Sequence, residues 1–286
     1  MARVAANVSR LQFAMRIPKR NLSRTDTENL FVFDMYALSA DEVLLACGAA
    51  GLRAVSLHTA QLVAHEPTAI RYVYGVAFDA HSDTLLLIVW SPTGDYCQLV
   101  SLRRNASEWL EVQRLGTRIR HTFYISQFAV CDSRVLLGNE HTFYVFDVSA
   151  EHTLRDAGSV TWQSRFYVVA CTRRDGVTLV AFSHGTSVSL LRLTSLPLRL
   201  ESLATVSLTE PRRLLFREDL LLVANWNRAT HTGAIVSFRV SDNALTERRV
   251  LIDAQAGVRV GAWALASDRL VLLNREPDEL LVYAFK

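Results

Sequence analysis

One local pattern recurs six times along the chain, marked by an acidic residue at Asp41, Asp83, Asp132, Asp175, Asp219 and Asp268, at intervals of 42, 49, 43, 44 and 49 residues. An aromatic or apolar run precedes each acidic position and a more strongly apolar run follows it. A polar loop and an alternating run come next. The first unit reads Phe31-Val-Phe-Asp-Met-Tyr-Ala, Asp41, Val43-Leu-Leu-Ala-Cys47, Gly48-Ala-Ala-Gly51 and Leu52-Arg-Ala-Val-Ser-Leu57. The third reads Phe123-Tyr-Ile-Ser-Gln-Phe-Ala-Val, Asp132, Val135-Leu-Leu137, Gly138-Asn-Glu-His141 and Phe143-Tyr-Val-Phe-Asp-Val148. Short apolar, β-branched runs broken by Asp, Ser, Gly or Asn predict strands, and helical periodicity is nearly absent. A weaker, more polar run follows in five units, at Leu62, Leu110, Arg155, Leu200 and Glu247. That polarity suits an outermost strand with one open edge.

Four short strands in a repeat of 40–50 residues describe a ring of blades, because one such unit cannot bury its apolar faces alone. The sixth unit runs from Val260 through Asp268 to Leu280–Phe285 and has no fourth run. Val8–Ile17 alternates like a fourth strand and has no unit of its own. The sequence therefore predicts an all-β chain folded as a single six-bladed β-propeller with four-stranded antiparallel blades. Residues 8–17 close the last blade and bury Leu11, Phe13 and Met15. The expected units are about 30–67, 71–116, 122–161, 165–207, 212–253 and 259–286, within one domain spanning 1–286.

Cys47-Gly-Ala-Ala-Gly-Leu-Arg-Ala-Val55 and Leu137-Gly-Asn-Glu-His-Thr-Phe-Tyr-Val-Phe-Asp-Val-Ser149 carry a resemblance to the β-propeller superfamily, locally to its LVIVD and YVTN repeats. The Trp-Asp dipeptides and Gly-His starts of the Trp-Asp repeat family are missing, as is the Asp-box of sialidases.

At 50% hydrophobic and 21% charged, the composition is that of a globular protein and excludes a disordered chain. A net charge of +3 gives no nucleic-acid signal, although all basic residues except Lys19 and Lys286 are arginine. Apolar runs such as Leu85–Trp90 fall far short of the ~20 residues that span a bilayer. Cys47, Cys97, Cys131 and Cys171 are widely spaced, with no CxxC and no Cys/His cluster. They predict buried, reduced thiols and a cytoplasmic protein. The Arg-rich, acid-free start offers a mitochondrial presequence as the lesser alternative.

Nucleophile elbows, phosphate-cradling glycine loops, dinucleotide fingerprints and zinc-hydrolase helices are all missing from the sequence. The six aspartates read as turn residues whose side chains accept backbone N–H bonds. The loops between second and third strands are more informative. They share one face with the lead-ins to the innermost strands, by resemblance to propellers. Arginine occurs near each lead-in, at Arg24, Arg71, Arg118 and Arg120, Arg165, Arg212 and Arg213, and Arg259. Arg71, Arg120, Arg165 and Arg259, with Trp90, Tyr96, His184 and Trp226 among them, predict a face for carboxylates, phosphates or an acidic peptide. The expected function is a non-catalytic interaction module, without cofactor, binding a protein or anionic ligand. Ser91–Tyr96 and Asn225–Gly233 are the two longest loops of this face.

The alternative is a divalent-metal-dependent hydrolase. Six-bladed lactonases of the gluconolactonase and paraoxonase kind place Asn and acidic residues around a channel cation. That resemblance implies Asn139, Glu140, Asn225, Asn274 and Glu276 as ligands. A hard cation usually takes more carboxylates than this set supplies.

Overall fold

The computed structural model describes residues 11–22, 31–63, 67–90, 96–106, 108–120, 128–195, 197–241, 244–256, 258–275 and 278–286. Strand β1 (Leu11–Pro18) is followed by a short 3-10 turn at Lys19–Leu22. Blade one comprises β2 (Asp34–Ala37), β3 (Glu42–Ala46), β4 (Leu52–Ser56) and β5 (Gln61–Leu62). Blade two comprises β6 (Val73–Asp79), β7 (Thr84–Trp90), β8 (Tyr96–Asn105) and β9 (Glu108–Arg120). Blade three comprises β10 (Phe128–Cys131), β11 (Arg134–Asn139), β12 (Thr142–Val148) and β13 (Leu154–Thr161). Blade four comprises β14 (Val168–Arg174), β15 (Val177–His184), β16 (Ser187–Ser195) and β17 (Leu198–Ser207). Blade five comprises β18 (Pro211–Arg217), β19 (Leu220–Asn227), β20 (Thr232–Ser241) and β21 (Ala244–Ala256). The last blade comprises β22 (Val260–Ala266), β23 (Arg269–Arg275), β24 (Asp278–Phe285) and, outermost, β1.

All pairings are antiparallel, and the inner strands follow one another round the axis as β2, β6, β10, β14, β18, β22 and back to β2. The chain is a six-bladed β-propeller. Its second strands are near-continuous apolar runs because each is sandwiched between two neighbouring blades. Leu85–Val89 and Leu270–Leu273, for example, are buried along their whole length. Six hydrophobic clusters result, one in each seam. The outer strands alternate with solvent, as in β13 and β17.

The closing strand lies where the sequence places it, with Leu11 opposite Phe285 and Pro18 opposite Glu279. Residues 8–10 of the expected strand lie outside the described residues. One side chain differs from expectation. A register shift between Phe13 and Met15 breaks the alternation, so Leu11 and Ile17 are buried and Met15 is half-buried. Phe13 turns outward, 50% exposed, with its ring edge-on to Tyr283 at 5.7 Å. A bulge re-aims every side chain beyond it, which simple alternation does not foresee.

The acidic turns join first to second strands, and they hold by a different chemistry from the one expected. Asp83, Asp132 and Asp175 sit at φ 53, 51 and 50, the left-handed region that Asp tolerates better than most residues. Four of the turn carboxylates turn to arginines: Asp132 to Arg173 of the next blade, Asp175 to Arg174 at 3.6 Å, Asp219 to Arg239 at 3.1 Å, and Asp41 to Arg269 at 3.8 Å across the closure seam. At the turn of blade two it is Asp79, at the end of β6, that accepts backbone N–H groups, from Ser82 at 3.2 Å and from Ser133 of blade three at 3.1 Å.

Candidate functional site

In an antiparallel blade, the loop from second to third strand and the lead-in to the first strand emerge on the same side. The loop face is therefore built from residues 47–51, 140–141, 185–186 and 228–231 together with the lead-ins near Phe33, Arg71, Arg165, Arg212 and Arg259. The second-to-third loops of blades two and six, at 91–95 and 276–277, lie outside the described residues, as do Glu276 and Arg24.

Three arginines on this face stand over aromatic rings. The Arg275 guanidinium lies 4.2 Å from the Phe31 ring centroid, that of Arg165 lies 5.7 Å from Tyr167, and that of Arg259 lies 6.0 Å from Trp226. A guanidinium near a ring face is attracted by the ring quadrupole, which holds the cation on this side of the propeller. Arg165 also pairs with Glu140 at 2.9 Å, and Arg275 donates to the Val32 carbonyl at 2.7 Å. Arg71 donates to the Ala50 carbonyl at 3.2 Å. Glu210 takes both Arg212 and Arg228.

The aromatic side chains form a row beside these cations. Phe31 meets Phe33 at 4.7 Å, Phe33 meets Tyr74 at 4.5 Å, and Tyr74 meets Trp90 at 5.8 Å. Phe31 and Tyr96 are exposed, whereas Trp226 is buried at 5%. Sequence reading treats Asn225–Gly233 as one long loop. Instead Trp226 pairs with Gly233 and Asn227 with Thr232, leaving four residues at the tip. Trp226 consequently supports the face from below, with His231 edge-on at 6.1 Å. Gly233 is required there, since a Cβ would stand 1.8 Å from the Val258 carbonyl oxygen. His184 is half-buried, hydrogen-bonded to Ser189 at 3.0 Å, and burial pulls its imidazole down from the usual histidine value. The Arg120 backbone pairs with Tyr96, and its side chain lies outside the described part of the structure, as does that of Arg118.

The asparagines end second strands and point their amide oxygens at lead-ins. Asn225 accepts from the Glu210 N–H at 2.9 Å and Asn274 from the Arg259 N–H at 2.8 Å. Asn139 closes β11 opposite Thr142. Among the described residues no three His, Cys, Asp or Glu side chains gather where a metal ion could sit.

Beneath the face, the axial channel encloses about 300 Å³ and is lined by all six inner strands. Two charged side chains reach into it that the sequence did not single out as channel residues. Asp34 accepts the Val76 N–H at 3.2 Å, linking blades one and two. Arg213 donates from Nε to the Gly261 carbonyl at 2.6 Å and from Nη2 to that of Phe33 at 3.3 Å, linking blades five, six and one. Burial pushes the Asp34 carboxyl up to about 6, with Arg213 and the Val76 and Met35 N–H groups opposing. These bonds tie inner strands that share no sheet, and the two from Arg213 bridge the place where blade six meets blade one. A lone acidic residue inside the apolar run Phe31–Ala37 is the signal that could have exposed Asp34.

Fold and site together define a β-propeller with an arginine- and aromatic-rich loop face. No protein-family model matches the chain, and no curated protein is significantly similar to it in sequence. No helix among the described residues is long and apolar enough to cross a membrane.

Proposed function

We propose that this protein is a non-catalytic interaction module that holds carboxylate or phosphate groups, on an acidic segment of a partner protein or on a small anion, against its loop face. The observation that carries the reading is the set of ring-mounted guanidiniums, Arg165, Arg259 and Arg275. Guanidinium forks match carboxylate and phosphate in geometry, and aromatic neighbours supply apolar contact at low entropic cost. Turn carboxylates on the opposite face are engaged by arginines of their own, which leaves less recognition chemistry there. The local likeness of two units to LVIVD and YVTN repeats suits a scaffold, and reduced thiols suit work in the cytoplasm.

An oligoglutamate peptide tests the reading, with calorimetric titration of the parent and of Arg165→Ala, Arg259→Ala and Arg275→Ala, singly and combined. Each charge-assisted contact is worth roughly 1.5–3 kcal/mol, about a tenfold loss or more in affinity. Affinity should also fall steeply with salt. A folded triple variant that binds like the parent would refute the assignment. Calcium addition separates this reading from the metal-dependent hydrolase, which requires a calcium-raised melting temperature.

A further inference from the structure

The seam between blades three and four brings together two thiols that the loop-face reading leaves unused. Cys131 ends β10 and Cys171 lies within β14, neighbouring inner strands of the ring. Alternation along a strand places Cys131 on the same side as Ala129, and Cys171 on the same side as Val169. Ala129 and Val169 belong to the one hydrophobic cluster that fills this seam, and Cys171 packs against it. The two side chains therefore face each other across the seam. One step along, the Asp132–Arg173 ion pair fixes how the two strands lie side by side. Cys131 is only half-buried, which gives a small solute access, and Cys171 lines the axial channel.

We propose that Cys131 and Cys171 are an oxidisable dithiol that closes to a disulfide between the third and fourth blades, with hydrogen peroxide or an organic hydroperoxide as oxidant. The Cys131 sulfur, as thiolate, attacks the peroxide. An S–O bond forms, the O–O bond breaks, and the departing oxygen leaves as water or alcohol. Cys171 then attacks the resulting sulfenic acid and loses its thiol proton. The S–S bond forms, the S–O bond breaks and water leaves. Two electrons pass from the two sulfurs to one peroxide. Cys131 is half-buried at the end of β10, beside the exposed turn, which places its sulfur for the first attack. Burial and the hydrogen bond shared with Cys131 push the Cys171 thiol well above its usual value and suit it to the second step. Cys47 and Cys97 are each enclosed in the core.

The test is to expose the full chain to hydrogen peroxide, quench, and count thiols in denaturant. Four thiols should become two, with a single cross-linked peptide joining Cys131 to Cys171 in a non-reducing digest. The melting temperature should rise and return on adding a dithiol reductant. Cys171→Ser should instead accumulate sulfenic acid at Cys131, trapped by dimedone. Four surviving thiols, a bridge through Cys47 or Cys97, or sulfinic acid at Cys131 beside a free Cys171 in the parent chain would each overturn the proposal.

Discussion

Loss of the closing strand should unfold the ring rather than trim it. Deleting residues 1–18 strips β24 of its outer partner and opens a hydrogen-bonding edge. It also removes Ile17, fully buried in the seam between blades six and one, and Leu11, buried between blades five and six. Burial of such side chains contributes roughly 1.5–3 kcal/mol each, and half-buried Met15 adds a fraction of that. The sum is about 4–7 kcal/mol, against the ~5–15 kcal/mol that holds a typical domain. Point changes resolve the geometry further. Ile17→Ala should cost about 2–5 kcal/mol, as for a large-to-small change in a tight core. Phe13→Ala removes only an edge contact with Tyr283 and should cost about 0.5–1.5 kcal/mol. Urea titration followed by tryptophan fluorescence gives both numbers, and a synthetic peptide of residues 1–22 should restore the deleted chain. A deletion with unchanged urea midpoint, or Phe13→Ala as costly as Ile17→Ala, would refute the closure and its bulged register.

Three further outcomes follow from the channel and the loop face. Asp34 has a folded value of about 6 against 3.8, so its buried charge costs stability above pH 6, and that cost vanishes below pH 4. Asp34→Asn should therefore stabilise at pH 8, by at most about 3 kcal/mol, since Arg213 and the Val76 and Met35 N–H groups already offset part of the desolvation, and the gain should fade on acidification. A pH-independent difference in melting temperature would refute it. Arg213→Met should cost about 1–3 kcal/mol in denaturant titration, since the carbonyls of Gly261 and Phe33 lose their donor. Gly233→Ala should displace the Val258–Arg259 lead-in and weaken oligoglutamate binding while the melting temperature drops only modestly; unchanged binding would uncouple Arg259 from the site.

The second strands were legible because burial on both faces leaves a dense apolar run, and the acidic turns because six copies share one spacing. The closing strand was legible from a surplus at one end and a deficit at the other. Side-chain direction was not. Phe13 keeps the register of buried Leu11 yet stays half exposed beside Tyr283, and the one-residue bulge after it, which carries no compositional mark, sends Ile17 to the opposite seam. Arg212 and Arg213 look alike in sequence, yet consecutive strand residues point oppositely, so one pairs with Glu210 and the other enters the channel. Trp226 read as a loop residue because its polar neighbours Asn225 and Asn227 hid a strand that runs to Asn227. The aromatic row of Phe31, Phe33 and Tyr74 escaped notice because its members come from two blades and meet only in the folded ring.

The pairing of Leu11 with Phe285 also sets a timetable. At roughly 5–20 residues per second these 286 residues take roughly 15–60 s to be made, and β1 has no partner until β24 has emerged. Blades one to five are each assembled from contiguous segments and can form as they appear. The sixth cannot, and its loop-closure entropy is met only once, at the end. During that interval β1 is an unpaired, amphipathic strand beside an incomplete ring, which makes it the point of exchange between neighbouring nascent chains. A crowded polysome should therefore favour strand-swapped dimers, with each ring latched by its neighbour's first strand.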